Sequence, residues 1–138
     1  MKNKLTTLWV FAVLNYLYCD LVGLMDAGML SQYLSGTVGG MQMTEAFLLG
    51  ASVLMEISMG MVVVSHLTPY KFNRVANIVS GTIVTLVQAA TLFMPPHASY
   101  YIFFSVIEIA TTLTIVILAI RWKDQPQSVP NLAAQLDG

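Results

Sequence analysis

Four apolar stretches, each long enough to cross a bilayer, dictate most of what this 138-residue chain can fold into. They run over residues 5–25, 44–67, 72–94 and 99–121, and a helical span needs about 20 residues. Most of each stretch is apolar all round, so length identifies them where periodicity does not. An open sheet would leave backbone polar groups bare in lipid, whereas a helix satisfies them internally. The expected fold is therefore all-α: an integral-membrane, up-down four-helix bundle over residues 1–122 and a polar cytoplasmic tail over 123–138. Composition agrees, with 57% apolar and 9% charged residues, against roughly 25% charged in soluble domains.

The connections refine this picture. Short loops make consecutive helices antiparallel neighbours. Thr68-Pro69-Tyr70 forms one tight turn, because proline disfavours helix in the residue before it, and Pro95-Pro96 forms another. The first outer loop is longer. Asp26 suits the cap of a short helix, Ala27–Leu34, with Met29, Leu30, Tyr33 and Leu34 on its apolar side. Ser35-Gly36 and Gly39-Gly40 then break it. Two readings stand side by side: a short interfacial helix on the outer surface or over the bundle mouth, and an irregular loop. In the tail, Asn131–Leu136 is too short for a stable helix alone.

Charge placement predicts orientation. All six basic residues, Lys2, Lys4, Lys71, Arg74, Arg121 and Lys123, fall on the side shared by both termini and the second loop. By the positive-inside rule that side is cytoplasmic. Lys2 and Lys4 also precede an apolar run, as in a signal peptide. Asn15 interrupts that run, its length exceeds the usual apolar region, and no small-residue cleavage site follows. The segment is expected to stay attached. The net charge of -1 indicates no nucleic-acid partner and no polybasic lipid-binding tail. The single cysteine, Cys19, excludes an intrachain disulfide and a cysteine-cluster metal site.

Glu56 and Glu108 lie near the middle of two spans, where a carboxyl must face protein, water or a partner. Helical phase gives each span one stripe of polar and small residues. The first carries Trp9, Val13, Tyr16, Asp20 and Gly23, with Asn15 and Cys19 adjoining. The second carries Glu45, Ser52, Glu56 and Gly60, the third Arg74, Asn77, Gly81, Thr85 and Gln88, and the fourth Tyr101, Ser105, Glu108, Thr112 and Ile115. Such residues mark helix contact faces in lipid, so the four stripes are expected to converge on one polar interior. No cation lies at that depth, so the carboxyls are expected to be neutral there.

Two roles compete. In the first, Glu56, Glu108, Asp20, Gln88, Asn15 and Tyr16 bind or transport a small molecule, a cation or a proton. In the second, neutral carboxyls act as hydrogen-bond glue in a structural protein that forms homo-oligomers. Lys71 and Arg74 read as topology anchors, and Trp9, Tyr70, Tyr100, Tyr101 and Trp122 as interfacial belt residues. His66 and His97 fall at opposite sides of the membrane and cannot share a metal. No phosphate loop, nucleophile–base pair or metal-ligand spacing is present, so neither an enzyme nor a cofactor is indicated, and the lipid bilayer is the one partner implied directly.

The segments Leu14–Asp20 (LNYLYCD), Gly23–Leu30 (GLMDAGML), Tyr33–Gly40 (YLSGTVGG), Phe47–Ile57 (FLLGASVLMEI), Arg74–Ile78 (RVANI) and Tyr100–Ile109 (YYIFFSVIEI) carry a resemblance over about Leu8–Trp122. They are similar to a family of small bacterial four-helix membrane proteins of unknown function, which resembles DoxX-like proteins in size and style only. The resemblance implies a bacterial inner membrane. It carries over no functional residue.

Overall fold

The computed structural model describes residues 1–94 and 98–124. Pro95-Pro96, His97 and most of the polar tail lie outside the described residues. Five helices and one small hairpin are present among those described: α1 (Lys2–Met25), α2 (Ala27–Leu34), β1 (Thr37–Val38), β2 (Met41–Gln42), α3 (Glu45–Leu67), α4 (Tyr70–Thr91) and α5 (Ser99–Arg121). The four long helices touch in cyclic order: α1 packs on α3 and α5, and α4 on α3 and α5. Among the described residues the regular structure is helical apart from the hairpin.

Three of these helices, α1, α3 and α5, are long and apolar enough to cross a membrane. The fourth, α4, is nearly as long at 22 residues but is not apolar enough to join them, so three of the four expected spans qualify by length and composition. Its inner face is polar: Asn73 and Asn77 are fully buried, and Arg74 reaches back to α5. Its outer face is nonetheless a single apolar stripe, Phe72, Val75, Val79, Ile83 and Leu86, all exposed.

The connection between α1 and α3 begins with the helix α2, so it is not an irregular loop. Asp26 caps α2 with its carboxylate, accepting from the Gly28 and Met29 amides at 2.9 and 3.4 Å. After α2 the chain forms a two-stranded antiparallel hairpin, Thr37 opposite Gln42 and Val38 opposite Met41. The intervening Gly39 and Gly40 both have positive φ, 56° and 81°, as a type I′ turn requires. The glycines foreseen as helix breakers therefore build a turn. Gln32 on α2 ties it down, its side-chain oxygen accepting from the Gly39 amide at 2.9 Å. Loss of a cap costs about 1 kcal/mol. Asp26→Ala is accordingly expected to speed amide exchange across Ala27–Leu34 about fivefold, with the long helices unchanged.

Helix contacts follow small residues. A methyl built on Gly81 would lie 2.8 Å from Val116 Cγ2 and 3.6 Å from the Thr112 carbonyl oxygen, so glycine is what lets α4 and α5 approach this closely. Leu5, Trp9, Met61, Val84 and Ile115 form the buried apolar core, which reaches through Leu5 toward the end of the bundle where the basic residues gather. Tyr70 closes that end, donating its hydroxyl to the Trp122 carbonyl at 2.7 Å. The Arg74 guanidinium donates to the Ala119 and Ile120 carbonyls at 3.0 and 2.9 Å, satisfying the bare C-terminal carbonyls of α5.

Candidate functional site

Two polar layers lie between the long helices, and they differ in one physical respect. The first, beside the apolar core, is fully hydrogen-bonded. Asn77 Oδ1 accepts from Trp9 Nε1 at 2.7 Å and from Ser65 Oγ at 3.1 Å. Its amide donates to Asn73 Oδ1 at 2.7 Å and to the Asn73 carbonyl at 2.9 Å. Asn73 in turn donates to the Ser65 carbonyl at 2.7 Å. Three helices are thus tied through two asparagines, and no group in the layer is left to bind anything. Trp9, read from sequence as a belt residue, is instead wholly buried.

The second layer lies toward the opposite end of the bundle, where α1 leads into α2. Around it, polar neighbours are also paired: Gln88 Nε2 donates to Ser105 Oγ at 2.8 Å, Thr85 to Thr112 at 2.7 Å, and Tyr101 to Thr91 at 2.7 Å. At its centre the pairing stops. Glu108 is 1% exposed, and neither carboxyl oxygen has a hydrogen-bond partner. The Tyr16 hydroxyl is buried and unpartnered as well. Among the described residues four buried side-chain polar atoms are orphaned, and three of them are these; the other is Thr6 Oγ1.

Glu108 lies nine residues into α5, about 14 Å from its N-terminal end. Its charge is within electrostatic range of Tyr16 and Cys19, and Asp20 is within range of Glu108. Above Asp20 come Tyr33 of α2 and Tyr100 at the start of α5. Both hydroxyls converge over Gly23, where an added methyl would lie 3.6 Å from Tyr100 Oη and 3.8 Å from Tyr33 Oη. Burial chiefly, and the Asp20 carboxyl next, hold the Tyr33 phenol above its usual range. These carboxyl and phenol groups are spaced like a ladder between the α2 end of the bundle and Glu108.

The expected site residues separate accordingly. Glu108, Tyr16 and Gln88 lie inside, with Gln88 already engaged by Ser105. Asp20 is exposed at the outer part of α1, beside the ladder. Asn15 is half-buried and spends its amide on the Phe11 carbonyl of its own helix, at 2.9 Å. Glu56 is not part of the layer: it is exposed. The expected inner stripe of α3 was the wrong face, since its buried residues are Ser58, Met61 and Ser65. The reason is room: α3 meets Asn77 and the indole of Trp9, and serines fit and hydrogen-bond there. Cys19, Tyr33, Asn73 and Ser65 are neighbours that sequence reasoning left out of the site. Tyr33 alone had a usable signal, through its place on the apolar side of the Asp26-capped helix.

The hydrogen-bond-glue expectation for Glu108 also fails, because it bonds to neither Gln88 nor Tyr16. Among the described residues no cluster of three His, Cys, Asp or Glu side chains could hold a metal ion. One family model, described as a family of unknown function (DUF6326), matches residues 1–128. The chain belongs to this family. That match extends beyond both ends of the resemblance seen in the motif strings. No curated protein and no solved structure matches the chain. For DUF6326, the site must therefore be read from its own geometry.

Proposed function

We propose that this DUF6326 protein is a four-span protein of the bacterial inner membrane, both termini cytoplasmic, that takes up a proton or small cation at Glu108 from the outer side. Membrane insertion of α4 is supported by its exposed apolar stripe from Phe72 to Leu86, with Asn73 and Asn77 turned inward and the exposed Thr82 hydroxyl spent on the Ile78 carbonyl of its own helix. Orientation is supported by the six basic residues gathered at one side.

The observation that carries the binding reading is the pair of orphaned Glu108 oxygens beside the orphaned Tyr16 hydroxyl. Buried polar groups in folded proteins are nearly always paired, and those that are not point to a bound water, an ion or a chemical role. An ionisable group inside a membrane domain marks an ion or proton path by the same logic. Asp20, Tyr33 and Tyr100, which lie between Glu108 and the α2 end of the bundle, support entry from that end. Transport across the whole membrane would require a second opening past the Asn73–Asn77 layer.

Difference infrared spectroscopy of the chain in lipid membranes tests this directly. Moving between acid and alkaline pH is expected to reveal one buried carboxyl band that gains and loses its proton. Glu108→Gln abolishes that band and any dye-reported proton flux in vesicles, whereas Glu56→Gln leaves the Glu108 band in place. A Glu108 carboxyl that never exchanges its proton or binds a cation would overturn the proposal.

A further inference from the structure

Uptake at Glu108 leaves open which cation is taken, and the oxygen atoms around the carboxyl bear on that choice. Most of them are already engaged. From α4, Thr85 donates to Thr112 and Gln88 to Ser105, at 2.7 and 2.8 Å. From α5, Tyr101 donates to Thr91 at 2.7 Å, and Thr112 donates to the Glu108 carbonyl at 3.0 Å. Helical carbonyls are spent within their own helices. The oxygens left without a partner in this layer are the two of the Glu108 carboxyl and the Tyr16 hydroxyl.

A metal ion needs more than that. Calcium takes roughly six to eight oxygens and magnesium a near-octahedral shell, and potassium inside a membrane protein needs a cage of carbonyls in place of its water. An organic cation needs room, and both groups are buried, Glu108 being 1% exposed. A proton needs a single oxygen and no volume. We infer that the Glu108–Tyr16 pair takes a proton delivered by water, not a metal or organic cation, and that the Tyr16 hydroxyl positions the water; this rests on uptake at Glu108.

In the step itself, a hydronium O–H bond breaks and its proton forms the O–H bond of a neutral Glu108 carboxyl, leaving water. Tyr16 keeps its own proton, since a phenol hydroxyl both donates to water and accepts from it. A buried water is held by about three polar atoms, and the two carboxyl oxygens and the phenol supply them. The titratable groups facing this layer are Tyr16, Cys19 and Asp20 of α1, Tyr101 of α5 and, farther out, Tyr33 of α2. From α4, Arg74 is spent on the Ala119 and Ile120 carbonyls toward the other end of α5. Glu45, Glu56 and His66 of α3 are exposed.

Infrared titration of the full chain in zwitterionic nanodiscs tests this, with sodium, potassium, calcium or methylammonium chloride as the probe. Ionic strength is held constant with a bulky organic salt. The midpoint of the Glu108 carboxyl band is expected to stay within about 0.2 pH unit over about a hundredfold rise in each probe, whereas a competing ligand would lower it by up to about one unit per tenfold rise. Tyr16→Phe, which removes only a hydroxyl, is expected to move the carbonyl stretch of protonated Glu108 to higher frequency, with helix content unchanged. A midpoint that falls as any probe rises would overturn the proton assignment and leave Glu108 as a cation site. An unmoved stretch in Tyr16→Phe would overturn the role of Tyr16. A parent chain with no titrating Glu108 band at any pH would overturn uptake at Glu108 itself, so the failures are told apart.

Discussion

Glu108→Leu is expected to stabilise the protein while removing its site. Leucine fills nearly the same volume and removes two buried oxygens that bond to nothing. Replacing an unsatisfied buried polar group with an apolar one of similar shape is neutral or stabilising, and apolar replacements of buried ionic groups gain about 1–4 kcal/mol. The unfolding midpoint in detergent or nanodiscs should rise by several degrees, by the scaling of stability to temperature. At the same time the titrating carboxyl band disappears. A structural carboxyl behaves oppositely: its loss lowers the midpoint. The direction of the thermal shift thus separates a group kept for binding from one kept for holding helices together.

The opposite sign is expected one layer away. Asn77→Ala strands three partners at once: the Trp9 indole N–H, the Ser65 hydroxyl and the Asn73 side-chain oxygen. Interhelical hydrogen bonds in membranes average about 0.6 kcal/mol each, with buried unsatisfied groups costing more. Their joint loss, with the cavity left by the shortened side chain, is expected to cost about 2–4 kcal/mol. Equilibrium unfolding in mixed micelles reads the loss. Trp9 emission should also shift, because its N–H loses its acceptor. Ser65→Ala removes one donor of this set and should cost a fraction of that amount. Equal losses for Ser65→Ala and Asn77→Ala would show that Asn77 does not organise the layer.

These two layers also show where reading the chain residue by residue succeeds. On α4 and α5, polar residues recur at three and four positions on an otherwise apolar surface, and each forms a single stripe. Asn77, Gly81, Ser105, Glu108 and Thr112 are all buried as that stripe requires. On α3 the same rule failed, because two stripes compete. One holds Ser52, Glu56 and Gly60, the other Ser58, Met61 and Ser65. Phase alone ranks them by polarity and selects Glu56. The choice depends on what α1 and α4 present, a bulky indole and an asparagine amide, which serines can accommodate. Likewise Asp26 and its helix were legible from a local capping pattern, whereas the hairpin turn needed the φ angles of Gly39 and Gly40. Arg74 looked like a topology anchor from its place near the membrane edge. It is also the cap of α5, a pairing across forty-five residues that local spacing does not reveal.

The sequence by itself determined the helical character, the helix boundaries to within a few residues, and the side on which the basic residues gather. Those properties follow from local length, apolarity and charge. Tertiary structure alone decided which of the two mid-span carboxyls faces inward, and that the inward one has no partner. Facing and pairing depend on shapes brought together from four helices, which no stretch of the chain encodes alone. Hence Glu108 carries the proposed site, while Glu56 faces away from the other helices.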